Sequence, residues 1–163
     1  MPHTTPNHEL LFRRLLHDYQ QALYWHVRHI VGNHEDAEDT LQETFLRAYR
    51  HLDKLRDAAS EKAWLYRIAT NEALRLVESR KDTDDVADHD PAHEDAPDYD
   101  TLAQALTAAI DHLPPRQRAV FCMRYYDELS YDDIALATDS NVKAVTANFH
   151  HAKERIRQYL LAL

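Results

Sequence analysis

Between Ser60 and Lys81 the polar residues Lys62, Arg67, Asn71 and Arg75 recur on one side of a helical repeat, with Trp64 beside them and Lys54 and Arg56 just upstream. Cations that hold phosphate, an amide that bonds a base edge and an aromatic ring that stacks on one are the parts of a surface for unstacked nucleic acid. Trp64 has a second reading, because a tryptophan at helical spacing is more often core than ligand, and Tyr66 carries the same two readings. Other chemistry is poorly supplied. There are 12 histidines, and His26, His29 and His34 invite a test as metal ligands. However, His34 falls beyond the end of its helix, and no thiolate or carboxylate converges on the three. His89 and His93 flank Asp90 in an acidic stretch where any metal binding would be weak, while the adjacent His150 and His151 diverge around a helix. The one cysteine, Cys122, sits between Phe121 and Met123 and reads as core; Ser130 reads as a helix cap rather than a nucleophile. No catalytic set, metal site or cofactor is expected, so the chain is read as a binding protein and not an enzyme.

The elements that must carry these residues follow from charge and periodicity. The chain has 163 residues and a formal charge of -9, from 19 Lys plus Arg and 28 Asp plus Glu. The excess is confined to one place: residues 82–100 hold nine carboxylates and no base, while the segments on either side balance, 12 against 12 and 7 against 7. With Pro91 and Pro97 inside it, that stretch reads as a self-repelling flexible linker, or as a polyanion that lies in a groove made for nucleic acid. Two small domains are therefore expected, 1–81 and 101–163. The single glycine, Gly32, argues against glycine-rich phosphate loops and tight β-hairpins. No apolar run approaches the length of about 18 residues needed to cross a membrane, and no export signal opens the chain. A lone thiol suits a reducing cytoplasm. The expectation is an all-α protein of the cytoplasm with no membrane insertion.

In the first domain, residues 9–31 place Leu11, Leu15, Tyr19, Leu23, Val27 and Ile30 three or four apart, an amphipathic stripe that Gly32 ends. A second helix starts after Asn33 or His34, with Glu35, Asp36 and Glu38 in its first turn. It buries Ala37, Leu41, Phe45 or Thr44, Ala48 and Leu52. Its other face carries Asp39, Gln42, Glu43 and Arg47, the last two spaced for mutual support. A third helix begins near Ser60, with Trp64, Leu65, Ile68, Ala69 and Leu76 able to fill the domain. In the second domain, Thr101 to Leu113 forms a helix with Leu102, Leu106, Ala109 and Ile110 inward. Pro114 and Pro115 separate it from the next. Ser130 then caps a short helix with Asp133 three residues on, residues 139–141 turn, and a longer helix carries Val142, Val145, Phe149, Ala152, Ile156 and Leu160 at three- and four-residue steps. Cap, short helix, turn and long helix are the parts of a helix-turn-helix; a plain helical bundle fits the same pattern.

In order and spacing, these segments resemble the extracytoplasmic-function sigma factors of bacterial RNA polymerase, in the sigma-70 superfamily. DAEDTLQETFLRAYRHL (36–52) resembles the segment that grips the clamp helices of the largest polymerase subunit. WLYRIATNEAL (64–74) resembles the one that opens and reads the −10 element, and LPPRQRAVFCMRYYDELSYDDIA (113–135) is similar to the start of the −35-reading domain. The resemblance implies that Asp39, Gln42, Glu43 and Arg47 meet core polymerase. It implies that Lys54, Arg56, Lys62, Trp64, Tyr66, Arg67, Asn71 and Arg75 meet melted −10 DNA, and that Arg116 and Arg118 meet phosphate near the −35 element while the last helix reads base edges. It also implies an anti-sigma factor as a partner, and a linker that threads past the catalytic cleft.

The reading helix departs from the family pattern. Where a Thr-Val-Lys-Ser-Arg-Leu run is common, this chain has Ala144, Val145, Thr146, Ala147, Asn148 and Phe149, so two cations are missing. Asn148 can pair with adenine and Thr146 with a thymine methyl or a phosphate, and Lys143, His150, His151, Lys153 and Arg155 restore part of the positive charge. Arg75 stands at a commonly acidic position and Glu78 at a commonly arginine one. The expected function is promoter-specific initiation by polymerase. The alternative is a sigma-like decoy or protein-binding regulator that engages polymerase or an anti-sigma factor without promoter specificity.

Overall fold

A computed structural model describes residues 6–55, 57–82 and 101–163. Arg56 and the acidic segment expected over 82–100, apart from Asp82, lie outside the described residues. The described residues form seven α-helices, α1 (Pro6–Val31), α2 (His34–Arg50), α3 (Glu61–Asp82), α4 (Thr101–Asp111), α5 (Pro115–Tyr125), α6 (Tyr131–Ala137) and α7 (Val142–Leu161), with single 3-10 turns at Leu52–Lys54 and Ala58–Ser60. The described residues contain no strand.

The helix ends are set by local chemistry. Gly32 takes φ 91°, a left-handed conformation that glycine adopts without steric cost, and its N–H donates to the Arg28 carbonyl to close α1. Asn33 then caps α2 by accepting from the Asp36 N–H at 2.9 Å. Ser130 caps α6 by accepting from the Asp133 N–H at 3.1 Å, and Asn141 caps α7 by accepting from the Ala144 N–H at 2.8 Å. Pro115 opens α5 at a position where its missing N–H costs nothing. Asp139 takes a positive φ of 51° in the turn between α6 and α7, which aims the two helices of the helix-turn-helix.

Helices α1, α2 and α3 pack on one another. Leu15, Leu23 and Val27 of α1 meet Leu41 and Phe45 of α2 and Leu65 and Ala69 of α3, all buried. The start of α3 is pinned to α1 by Arg14, whose guanidinium donates to both Glu61 oxygens at 2.9 and 2.7 Å, while the Tyr19 hydroxyl adds a third bond at 3.2 Å. Arg14 holds the Glu61 carboxyl below its ordinary range. In the second domain, Ile110 and Leu113 meet Phe121 and Cys122 of α5 and Ala152 and Ile156 of α7. Burial pushes the Cys122 thiol up, which removes it as a nucleophile.

The two domains share a core. Val120 and Met123 of α5, Ile134 and Ala135 of α6 and Val145 of α7 form one continuous apolar cluster with the residues of α1 and α3. Helix α1 lies on α5, and α3 lies on α5 and α6. Two expectations of core placement are corrected by this arrangement. Leu102 is exposed, because α4 packs on α7 through its C-terminal half. Val142, at the start of α7, is exposed as well, whereas Trp64 packs half-buried on the core beside the fully interior Tyr66.

His26 is fully enclosed, its Nε2 paired with the Thr70 hydroxyl at 2.8 Å and its Nδ1 without a hydrogen-bond partner. Desolvation lowers its pKa to about 3. A depressed value means that stability is complete above the unfolded value near 6.5 and is lost progressively as pH falls. Urea unfolding at pH 5 is therefore expected to show about 2 kcal/mol less stability from this residue than at pH 7.5, at about 1.4 kcal/mol per pH unit. The same comparison in His26→Gln should show a clearly smaller drop; an equal drop would locate the acid sensitivity elsewhere.

Candidate nucleic-acid interface

Helix α3 was expected to offer DNA a continuous face, and the structure divides that face in two. Near its start, the Lys62 ammonium donates to the backbone carbonyl of Asp127, in the turn after α5, at 2.9 Å. Arg67 forms an ion pair with Asp139 of the α6–α7 turn at 2.8 Å. Tyr66 is 0% exposed and meets His26 at a ring distance of 5.0 Å, so in this arrangement it touches no base. Farther along, Asn71 and Arg75 are exposed, Arg75 pairing with Glu72 of the same helix at 3.2 Å. Lys54, in the turn before α3, is also exposed. The open portion is therefore Lys54, Asn71 and Arg75; from Lys62 to Arg67 the second domain holds Lys62 and Arg67 in polar contacts and Tyr66 is buried, while Arg67 stays half exposed.

The expected phosphate contacts Arg116 and Arg118 separate in the same way. Arg116 is exposed, 3.9 Å from Glu78. Arg118 is 6% exposed and donates to the Asp111 carbonyl at 2.8 Å and, across the domain boundary, to the Ile30 carbonyl at 3.1 Å. Buried in this way it braces the ends of α4 and α1, and no phosphate reaches it in this arrangement. This corrects the expectation of two exposed arginines. Sequence periodicity gave no sign of it, because the acceptors are backbone carbonyls, one of them 88 residues away.

Of the residues on α7 expected to meet DNA, Lys143, Thr146, His150, His151, Lys153 and Arg155 are exposed and Asn148 is half-buried. The Thr146 hydroxyl donates to the Val142 carbonyl at 2.7 Å, which occupies its proton within the helix. Lys153 places its ammonium 5.1 Å from the Phe149 ring, a cation–π contact. The histidines considered as metal ligands go to separate places: His26 is buried against Thr70, His29 stacks on Tyr126 at 4.9 Å, and His34 Nδ1 pairs with the Tyr24 hydroxyl at 2.6 Å.

The charged face of α2 is less free than its sequence implies. Asp39 and Gln42 are exposed, but Arg47 is held by Glu43 at 3.2 Å and by Glu72 of α3 at 2.8 Å. Beside this face lies a groove of about 660 Å³ between α1 and α2, with Phe12, Leu16, Leu46 and Tyr49 along it and Glu38, Asp39 and Gln42 at its edge. Leu46 and Tyr49, 45% and 38% exposed, are apolar residues off the buried stripe of α2. That misplacement was the available sequence signal for the groove.

Residues 15–83 match the family model of sigma-70 region 2, and residues 103–156 match that of sigma-70 region 4. The chain is 32% identical to the ECF RNA polymerase sigma factor SigE of Mycolicibacterium smegmatis, over 90% of this chain and 60% of that one. It is 30% identical to the RNA polymerase sigma-H factor of Pseudomonas aeruginosa, over 93% and 87%. With the ECF sigma factor SigW of Bacillus subtilis it shares 29% identity, over 91% and 88%. In fold it is similar to the sigma factor RpoE of Bartonella quintana, solved in complex with the anti-sigma factor NepR, with a TM-score of 0.78 at 24% identity, over 91% of this chain and 96% of that one.

The charge-assisted bonds of Arg118 to two carbonyls predict that Arg118→Ala lowers stability by about 2–3 kcal/mol. Arg116→Ala, a surface change, should shift it by less than about 0.5 kcal/mol. Urea unfolding of the two variants beside the wild type reads the difference, and equal midpoints would remove Arg118 as a brace.

Proposed function

Because this chain belongs to the extracytoplasmic-function group of the sigma-70 family, we propose that it binds core RNA polymerase and directs promoter-specific initiation, acting in the cytoplasm and performing no covalent chemistry. The observation that carries this reading is the ordered pair of region 2 and region 4 matches, on helices that expose part of the corresponding polar faces. Since the chain spans 60% of the M. smegmatis relative, that protein's full range of activity does not transfer.

Residues 1–81 supply the polymerase contact and the −10 contact. The groove between α1 and α2 offers an apolar floor and an acidic edge to the polymerase clamp helices, with Asp39, Gln42 and Glu43 at or beside it. Arg47, already neutralised by Glu43 and Glu72, acts by holding α2 to α3. Lys54, Asn71 and Arg75 meet the opened −10 strand directly, and Arg56 is assigned to the same contact. Lys62 and Arg67, bonded to the second domain, and the buried Tyr66 are freed for it when that domain moves away, with the half-buried Trp64 beside them. Residues 101–163 read the −35 element, with α7 in the major groove. Lys143, Arg116, His151 and Arg155 attract phosphate, and Thr146, with its hydroxyl bonded back to Val142, presents its methyl to thymine. The acidic segment 82–100 joins the two and lies in the polymerase nucleic-acid channel. An anti-sigma factor is a further partner, as NepR is for the Bartonella protein.

The decoy reading has its own support: the covered portion of α3, the buried Arg118 and the reduced charge of the reading helix. Reconstituted transcription with core polymerase over a randomised promoter library separates the two. Specific initiation is expected, and binding to core without initiation from any promoter leaves the decoy. Glu43→Arg and Leu46→Asp should each weaken core affinity by about tenfold or more with unchanged helicity, since each opposes the charge or the apolar floor of the proposed surface. Unchanged affinity in both would place the polymerase contact elsewhere.

A further inference from the structure

The turn after α5 is built to hold one carboxyl at the boundary between the two domains. Leu129 N–H donates to the Met123 carbonyl at 3.0 Å, the Arg124 guanidinium donates to the Leu129 carbonyl at 3.0 Å, and Glu128 accepts a positive φ of 55°. This fixes Asp127 against α3, where Lys62 holds its backbone carbonyl and the Tyr66 hydroxyl and Lys62 ammonium face its carboxyl. The neighbouring groups are Tyr126, next to Asp127 in the same turn, and the buried Cys122 and Arg118 of α5; on α1 they are His29, stacked on Tyr126, and His26, behind Tyr66. No well-formed hydrogen bond reaches the Tyr66 hydroxyl. Its help to a charged Asp127 is therefore weak, and desolvation outweighs the two favourable neighbours: the Asp127 carboxyl is pushed up to about 6.

We propose that Asp127 is a proton-operated latch between the two domains: uncharged, it lets them close over Lys62, Tyr66 and Arg67, and ionised, it favours their separation. Separation returns the carboxyl to water, where it titrates near 3.8. The closed form therefore holds the proton more tightly. Below about 3.8 both forms are protonated and closure carries no charge cost. As pH rises from there to about 6, the open form loses its proton first and closure becomes progressively less favourable; above about 6 the whole cost is present. The interval limits the change in the closed-to-open ratio to about a hundredfold, and the water still reaching a partly buried carboxyl makes it smaller. Histidine protonation has the opposite consequence for DNA, since acid adds positive charge and strengthens phosphate attraction. Only the effect on promoter binding rests on the proposed sigma-factor role; the latch itself does not.

Small-angle scattering of the full chain from pH 4 to 8, with circular dichroism alongside, tests the latch. The wild type should be compact near pH 4 and expand as pH rises from there to about 6 at constant helicity, with no further change above 6; Asp127→Asn should stay compact throughout, and His29→Gln should keep the wild-type step. In a carbon-13 titration of the wild-type aspartates, the Asp127 carboxyl should show a midpoint between 3.8 and about 6, because opening on ionisation draws it below the closed-form value. The latch is overturned by a radius of gyration that does not change with pH, by expansion on acidification, by a step that survives Asp127→Asn or vanishes in His29→Gln, or by an Asp127 midpoint no higher than 3.8. At pH 8, where the latch is ionised, a single-stranded −10 oligonucleotide should bind the wild type more tightly than Asp127→Asn. If the radius changes as expected and the two bind alike, the latch stands and the assignment of α3 to DNA fails.

Discussion

Helix α3 is asked to serve two neighbours, and the rest of the molecule follows from that demand. One side of it, with Leu65, Ala69 and Ala73, closes the three-helix core with α1 and α2. The adjoining side, from Lys62 to Arg67, meets the turn after α5 and the turn before α7. A helix with one buried stripe needs about 100° of apolar surface. One with two neighbours needs more, and α3 meets the need by placing polar groups where they find partners. Thr70 bonds His26, Glu61 bonds Arg14 and Tyr19, and Lys62 bonds a carbonyl of the other domain. The weakly satisfied members are the Tyr66 hydroxyl and His26 Nδ1, side by side under the boundary.

Energetics decide how firmly the two domains are joined. Arg67 and Asp139 are each about half exposed, and a pair of that kind contributes roughly 0–1 kcal/mol. Arg116 and Glu78, more exposed still and 3.9 Å apart, add nothing to rely on. What holds the boundary is apolar burial around Val120, Met123, Ile134 and Ala135, together with the buried bond from Arg118 to the Ile30 carbonyl. Removing such an arginine is costly because two carbonyls lose a charged donor at once, whereas removing a rim pair exposes nothing new.

Much of the fold was legible in the sequence, and what was hidden has a common cause. Gly32, Asn33, Pro115, Ser130 and Asn141 announce helix ends because caps are decided within three or four residues. The buried stripe of α2 was read correctly from Ala37 to Leu52 because that helix has a single core side. Periodicity fails where a second neighbour arrives from far along the chain. Trp64 and Tyr66 carried the same two readings, and only the position of α5 and α6 decides that Tyr66 is interior. Arg118 looked like a phosphate contact because its acceptors, at Ile30 and Asp111, are backbone atoms with no sequence signature. The groove beside α2 was signalled by Leu46 and Tyr49 on an otherwise polar face, a pattern that reads as ordinary surface until α1 supplies the opposite wall.

The charge distribution bears on the same boundary. Residues 1–81 and 101–163 each have equal numbers of acidic and basic side chains, so the two bodies meet with no net repulsion or attraction. At physiological ionic strength, exposed charges beyond about 8 Å are screened, and the balance of closure passes to groups removed from water. Two such ionisable groups pull in opposite directions on acidification. His26, enclosed within the first body, gains an unfavourable charge and weakens that body. Asp127, at the boundary, loses one and eases the contact between bodies. One group governs the integrity of a part and the other the association of the parts. A probe of global unfolding therefore reports mainly the first, and a probe of shape at constant helicity reports the second.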